Sequence, residues 1–260
     1  MNKAHLSDIQ KRKKIVPMLN KGEKGEINII KKLFFHRNDR SWVFENLSYD
    51  SRIALVNPKD YDRWITHGIS FINHEEDIQK TGGLFKSDVV LFFYDIGIIK
   101  RVSIKCFDGG APTILNHTPR TAKCWKKLAP PDAIVAKMNR MRSCGEAGED
   151  IALERLNLDD LEMNHLKKIV TYFVSMGSGA RHSSVPCDSI LYAKNNEIFH
   201  FYPSVSEYVE NLLTEQKMVL SIRNKGMSKK ALADKTWMYQ EPDGKLKGAL
   251  NIRLTGKINF

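Results

Sequence analysis

An acid and a lysine interrupt two apolar runs between residues 82 and 110, GGLFKSDVVLFFYDIGIIKRVSIKCFDGG. Asp88 opens the first run, and Lys105 lies near the end of the second, beside Ser103. A carboxylate binds a hard divalent cation through oxygen, and the cation polarises a phosphate and lowers the pKa of a bound water. A lysine can orient or deprotonate that water, or stabilise charge that builds up on phosphorus. These residue types therefore predict phosphoester chemistry, provided that the fold brings them together.

Two strands, 88–95 and 98–107, are predicted to carry these residues. Both are rich in Val, Ile and Phe, and the DIG at 95–97 between them is typical of a hairpin turn. Side chains alternate along a strand, so Ser103 and Lys105 share one face while the apolar residues between them face the core. The hairpin then brings Asp88 near that face. The alternatives are that Asp88 caps a turn, Lys105 protects a sheet edge and Ser103 is simply solvated.

The remaining periodicity predicts helices on both sides of a sheet. An amphipathic helix at 23–36 precedes the hairpin, residues 41–55 look extended, and Pro58 opens a short helix or turn. We expect an α/β or α+β fold, with a central mixed β-sheet flanked by helices, in one domain. Later helices are predicted at 132–143 after Pro131, at 148–157 (GEDIALERLN), at 158–177 with Gly177 as C-cap, and near 205–214. Strands are predicted at 189–194 and 197–202, joined by a KNNE turn, and two or three short strands complete the chain.

The composition is that of a soluble globular protein. Hydrophobic residues make up 42% and charged residues 27% of 260 residues, which is ample for a packed core. No stretch approaches the roughly 20 apolar residues that span a bilayer, and residues 1–19 lack the features of a secretory signal. The four cysteines form no CxxC pair, which argues against a zinc site. We therefore expect a reduced, cytoplasmic protein with no membrane partner.

The net charge of +11 is concentrated at the two ends of the chain. Residues 1–25 carry a net of +5 and residues 217–260 a net of +7, which leaves −1 for residues 26–216. Clustered positive charge favours a polyanionic partner, since each neutralised phosphate releases condensed counterions. A merely soluble basic protein is the alternative interpretation.

The order of Asp88, a hydrophobic strand, a turn and Ser103-Ile104-Lys105 resembles the pattern of the PD-(D/E)XK nucleases. The string FKSDVVLFF…VSIK is most similar to the small, MspI-like type II restriction endonucleases that cut four-base sites. The family core often has a glutamate on the helix before the strands, and Glu26 stands at a suitable place. The motif-bearing part of the resemblance covers about residues 20–110.

This resemblance implies a restriction-endonuclease-like core, Mg²⁺ as cofactor and double-stranded DNA as substrate. It implies catalytic roles for Glu26, Asp88, Ser103 and Lys105, with the metal held by Asp88 and by the backbone carbonyl of Ile104. Glu26 also has an alternative role as a first-turn glutamate that the helix dipole favours.

Two positions depart from the family pattern. Ser87, rather than proline, precedes Asp88, and Ser103 stands where a second acid is usual. Asp95 or Asp108 could supply the missing ligand, although Asp95 looks like turn chemistry. The number of metal ions is therefore open.

Basic and aromatic residues outside the hairpin are candidates for DNA contacts. Residues 118–143 hold seven Lys or Arg against one acid, and the C-terminal stretch from 235 interleaves aromatics with bases, as a β-ribbon in the major groove would. GSGARH at 177–182 is better explained as a glycine C-cap and flexible loop than as a phosphate loop, yet it too could reach DNA. The candidates are Lys86, Arg120, Lys123, Arg181, His182, Lys235, Trp237, Tyr239, Lys245, Lys247 and Arg253.

The leading hypothesis from the sequence is a Mg²⁺-dependent type II restriction endonuclease. It would be one domain over 1–260, with a catalytic core at about 20–110 and basic DNA-contacting strands at about 186–260. It would act as a monomer or homodimer, in a host with a cognate DNA methyltransferase. A repair or junction nuclease on the same core and a non-catalytic DNA-binding protein are the alternatives, although the sequence has no clear helix-turn-helix or zinc spacing.

Overall fold

A computed structural model describes residues 19–39, 51–68, 70–81, 84–107, 113–115, 132–146, 150–178, 181–214, 218–223, 239–240, 246–247 and 249–254. The α-helices in these ranges are α1 (Lys21–Phe35), α2 (Tyr61–His67), α3 (Asp132–Ser143), α4 (Asp160–Thr171) and α5 (Val205–Thr214). The strands are β1 (Ile53–Val56), β2 (Val89–Phe93), β3 (Ile98–Phe107), β4 (Thr113–Leu115), β5 (Asp150–Ala152), β6 (Gly177–Ser178), β7 (Arg181–His182), β8 (Ser189–Lys194), β9 (Glu197–Tyr202), β10 (Met218–Arg223), β11 (Tyr239–Gln240), β12 (Leu246–Lys247) and β13 (Ala249–Leu254).

A mixed five-stranded sheet with the order β1-β2-β3-β8-β9 forms the centre of the fold. The first three strands are antiparallel, β8 joins β3 in parallel, and β9 returns antiparallel to β8. Helices flank this sheet, so the predicted mixed α/β architecture is confirmed at that level. The parallel partner of β3 is reached only after α3 and α4, since a parallel pair needs a long crossover connection.

The predicted hairpin is confirmed as β2 and β3. Its register pairs Val89 with Val102 and Phe93 with Ile98, and the turn closes with Gly97 in the left-handed region at φ 66°. Glycine adopts such a φ without the steric penalty of a side chain. This register places Asp88 opposite Ser103, at the point where β2 begins.

Helix α1 covers one face of the sheet. It starts with a capping box, in which Asn20 Oδ1 accepts from the Glu23 amide and the Glu23 carboxylate accepts from the Asn20 amide. The predicted helix at 23–36 is thus confirmed. Its buried apolar side chains, Ile29, Ile30, Leu33 and Phe34, pack with inward-facing residues of β1, β2, β3 and β8.

The other face of the sheet carries two clusters. Trp64 of α2 packs with Val90 and Val185, behind the 3₁₀ turn that Pro58 opens, as predicted. A larger cluster joins α3, α4, α5 and β8 to a second sheet with the order β4-β13-β10-β5. Tyr192 and Tyr208 are buried in it, with hydroxyl oxygens 2.5 Å apart.

One sequence prediction about the middle of the chain is wrong, and a second is wrong in part. GEDIALERLN is not a helix: β5 pairs with β10, a 3₁₀ turn follows at Leu153–Leu156, and Asn157 is left-handed at φ 44°. In GSGARH, the predicted glycine C-cap is confirmed, because a π-helical turn at Tyr172–Met176 extends α4 and the Gly177 amide donates to the Tyr172 carbonyl. The predicted flexible loop is wrong, since β6 and β7 pair antiparallel after the cap.

The remaining elements follow the sequence. Helix α3 and helix α5 have the predicted bounds, and β8 and β9 form the predicted hairpin with Asn195 and Asn196 both left-handed, at φ 51° and 63°. The extended stretch predicted at 41–55 is described only from residue 51, where β1 follows. In the ranges that the structure describes, no helix is long and apolar enough to cross a membrane.

Candidate active site

Asp88, Ser103 and Lys105 form one hydrogen-bonded chain at the open end of the β2–β3 hairpin. The Asp88 amide donates to the Val102 carbonyl at 2.8 Å, which fixes the acid at the start of β2. The Ser103 hydroxyl donates to Asp88 Oδ2 at 3.3 Å, and Lys105 Nζ donates to Ser103 Oγ at 2.8 Å. Ser103 is only 1% exposed, so it is not the solvated serine of the simpler interpretation. Strand alternation therefore places the acid, hydroxyl and ammonium on one side of the sheet.

The backbone of Ile104 also faces Asp88. Its amide donates to Asp88 Oδ2 at 2.7 Å. The N–H and C=O of one strand residue point to the same neighbouring strand, so the Ile104 carbonyl lies on the same edge of β3. Asp88 Oδ1 accepts no hydrogen bond from the described residues. One carboxylate oxygen and one carbonyl oxygen are thus available as hard ligands for a divalent cation.

Glu26 approaches the same group from α1. A Cβ built on Gly25 would lie 2.8 Å from Cys106 Cβ, so α1 packs on β3 at a distance that only glycine permits. This close approach brings Glu26 within electrostatic reach of Asp88 and Lys105. Burial and the negative charge of Asp88 raise the pKa of Glu26 to about 7, against the opposing effects of Lys80 and Lys105.

Lys80 is a further charged residue of the site and forms ion pairs with two glutamates of α1. Its Nζ lies 2.6 Å from Glu23 Oε1 and 3.5 Å from Glu26 Oε2. The two carboxylates on successive turns of α1 thus share one ammonium. In the described part of the chain, no group of three or more His, Cys, Asp or Glu side chains is assembled as a metal cluster. A cation held by Asp88 would therefore draw further ligands from water, phosphate or Glu26.

Lys86 lies in this group and not on an outer surface. Its amide donates to Ser183 Oγ at 2.7 Å, and its half-buried side chain is close enough to Lys105 to feel its charge. Burial, with the charge of Lys105, lowers the pKa of Lys86 to about 8. The sequence indicated Lys86 only as one of many DNA contacts.

Ser87 ties the site to a distant part of the chain. Its side chain is fully buried, and its hydroxyl lies 3.2 Å from the Val185 carbonyl and 3.1 Å from the Pro186 carbonyl. Its amide also donates to the Val185 carbonyl, at 3.3 Å. A proline at this position would have neither donor. The departure from the family pattern at Ser87 therefore has a structural function here.

Cys187 follows Val185 and Pro186, to which Ser87 is hydrogen-bonded, and is buried next to the site. Its thiol donates to the Val174 carbonyl at 3.1 Å, and burial raises its pKa to about 11. The thiol is therefore neutral near pH 7 and is not an activated nucleophile.

Asp95 belongs to the opposite end of the hairpin. Its carboxylate accepts from the Arg52 amide at 3.0 Å and forms an ion pair with Arg52 Nη2 at 3.2 Å. Asp95 thus closes the turn, as its sequence context indicated, and does not supply the missing ligand. Asp108 lies outside the described residues.

The predicted DNA contacts are brought together only in part. His182 is exposed at the edge of β7, with its ring 5.4 Å from that of Tyr172. Arg253 on β13 forms an ion pair with Asp150 of β5, which gives it a structural partner. Arg181, Tyr239 and Lys247 lie in β7, β11 and β12, where the structure describes only the backbone. The remaining candidates, Arg120, Lys123, Lys235, Trp237 and Lys245, lie outside the described residues.

Several members of the site were not found in the sequence. Glu23 and Cys187 lie far from the hairpin along the chain, whereas Lys80 lies shortly before Asp88, and no local pattern distinguishes any of the three. Among the additional residues of the site, only Lys86 and Ser87 could be suspected from the sequence, because they directly precede Asp88.

No family model matches this chain, and no curated protein matches it in sequence.

Proposed function

We propose that this chain is a metal-dependent endonuclease that hydrolyses phosphodiester bonds of double-stranded DNA at a short specific sequence, as type II restriction endonucleases do. The observation that carries the proposal is the hydrogen-bonded chain of Lys105, Ser103 and Asp88, with Glu26 brought beside it by α1. A helix followed by a mixed sheet, with the lysine on its central strand, agrees with the restriction-endonuclease-like core that the resemblance implies.

The donor set fits Mg²⁺ because it consists of hard oxygen ligands from Asp88 and from the Ile104 carbonyl. When bound, the cation would polarise the phosphate and favour ionisation of water. Side chains of the protein would position the water and accept its proton. Lys105, which Ser103 holds in place, orients the attacking water, and Glu26 can take up a proton near neutral pH.

The test is cleavage of unmethylated, phage-sized duplex DNA by the purified chain, in Mg²⁺ and in EDTA. Discrete fragments that form only with Mg²⁺ are expected, and their ends would give the recognition site. A smear would favour a repair or non-specific nuclease. Intact DNA that still shifts on a gel would favour the DNA-binding protein. Toxicity in a host without the matching methylation is a further expected result.

Substitutions at the site connect the activity to these residues. Asp88→Asn and Lys105→Met are each expected to slow cleavage by roughly 10²-fold or more, because one removes the cation ligand and the other a group that stabilises the transition state. Binding of DNA, measured with Ca²⁺, is expected to persist.

Matched controls are available on α2 and α1. Asp62→Asn and Lys24→Met change exposed residues of the same types that form no ion pair or hydrogen bond with Asp88, Ser103 or Lys105, and both variants are expected to cleave like the unaltered protein. Full activity of either Asp88→Asn or Lys105→Met would rule out the proposed site.

A further inference from the structure

The ammonium group of Lys86 has no assigned role in the chemistry so far. Two of the three lysines of the site are engaged: Lys80 pairs with Glu23 and Glu26, and Lys105 donates to Ser103. Within the described part of the chain, no hydrogen bond or ion pair engages Lys86 Nζ. Asp88 and Glu26 attract this cation only from beyond ion-pair distance. A half-buried cation with no hydrogen-bonded partner costs free energy, so its position beside a second lysine points to a ligand.

The backbone at Lys86 lies outside a strand but is fixed by several hydrogen bonds. Its amide donates to both Ser183 Oγ and the Val185 carbonyl, at 2.7 and 3.3 Å. The Ser183 hydroxyl also accepts from the Val185 amide at 3.2 Å, and Ser87 is tied to the same segment. The segment before β8 therefore fixes Lys86 relative to Asp88.

The charges of the three lysines and three acids of the site are compatible with binding of one anion. With all six groups ionised, Lys80, Lys86 and Lys105 balance Glu23, Glu26 and Asp88. Protonation of Glu26, whose pKa is about 7, or a divalent cation bound at Asp88 would each leave the group positive. Lys86 and Lys105 form no ion pair with an acid of the described residues and repel each other. An anion with two free oxygens placed between them would relieve this repulsion. A phosphodiester has this form.

We propose that Lys86, together with Lys105, binds the phosphate at which the DNA strand is cut. This inference rests on the proposed endonuclease function and assigns to Lys86 a contact at the reacting phosphorus, in place of a contact elsewhere along the DNA backbone. Ser183 is then a positioning residue, because it acts through the Lys86 amide.

The test is a binding cycle that compares two duplexes containing the mapped recognition site. In one, the phosphate to be cut is unaltered; in the other it is an uncharged methylphosphonate. Affinity is measured in Ca²⁺ for the unaltered protein, Lys86→Met and Lys24→Met. Coupling between a side chain and one phosphate is large when the two are in contact and small when they are more than about 7–10 Å apart with no shared partner.

Neutralising that phosphate is expected to weaken binding by the unaltered protein and by Lys24→Met roughly tenfold, as for loss of a charge-assisted hydrogen bond. For Lys86→Met the same change is expected to alter binding less than about twofold. Lys86→Arg keeps the charge and is expected to regain most of the discrimination. Ser183→Ala is expected to lie between the unaltered protein and Lys86→Met.

Equal loss of affinity on the methylphosphonate for Lys86→Met and the unaltered protein would overturn the inference, since Lys86 would then contact another phosphate or none. Failure of the unaltered protein to cut any duplex would instead overturn the endonuclease proposal, and this inference with it.

Discussion

Glu26 is a carboxylic acid whose protonation is set by the fold. Its pKa of about 7 results first from burial and then from the charge of Asp88, and Lys80 and Lys105 only partly offset them. In the unfolded chain the same group ionises near its ordinary value of 4.5. Between these two values the folded protein binds more protons than the unfolded chain, so the free energy of unfolding falls as pH rises from about 4.5 to about 7.

Glu26→Gln is therefore expected to reduce this loss of stability. The difference in unfolding free energy between pH 5 and pH 7.5 should be smaller in the variant by on the order of 1–3 kcal/mol. Urea unfolding in EDTA at the two pH values measures it. Glu76→Gln, which changes an exposed glutamate, is the control and should behave like the unaltered protein. Identical pH dependence in the Glu26 variant would show that Glu26 ionises normally.

At the scale of elements, the contact between α1 and β3 decides where Glu26 lies. Gly25→Ala should lower the free energy of unfolding by about 1–3 kcal/mol, because the new Cβ would overlap Cys106 and force the helix away. This outcome opposes the intrinsic preference of helices for alanine over glycine, about 1 kcal/mol. The measurement is urea unfolding at one pH.

Gly22→Ala provides the comparison within the same helix. Among the described residues, a Cβ at position 22 meets Asn20 Oδ1 alone, at 3.4 Å, so the variant should be neutral or more stable by up to about 1 kcal/mol. If Gly25→Ala were as stable as Gly22→Ala, the helix would not be packed on β3 as described.

The elements that carry the site could be predicted because their signals are local. The β2–β3 hairpin has β-branched strands and a short turn, and alternation alone places Ser103 and Lys105 on one face. The composition of GEDIALERLN favours a helix, because Leu, Glu, Ala and Arg have high helix propensity, whereas the pairing of Ile151 with Leu220 of β10 decides its structure.

The remainder of the site depends on contacts that no local pattern reports. Lys80 meets Glu26 across 54 positions of sequence, and Ser87 meets Val185 across 98. Such contacts are set by the path of the chain between elements, and this path depends on packing of the whole sheet. The sequence could therefore indicate the acid and the lysine but not the charges around them.

At the scale of the whole molecule, the largest cluster links the two sheets. It contains Ile190 of β8 in the central sheet and Ile252 of β13 in the second sheet. Ile252→Ala should lower the free energy of unfolding by roughly 2–5 kcal/mol, since Ile252 is fully buried. Because one core serves both sheets, far-UV and near-UV circular dichroism should report a single transition with a shared, lowered midpoint. Two separate transitions would indicate that the sheets unfold independently.

The parallel pairing of β3 with β8 also sets when the protein can acquire its site during synthesis. Asp88 and Lys105 emerge early from the ribosome, but Ser183, Val185 and Ser189, which fix the positions of Lys86, Ser87 and β3, come much later in the 260-residue chain. A nascent chain that ends before β8 cannot assemble the site. If the chain has the proposed endonuclease activity, this activity would be absent until most of the chain has been made.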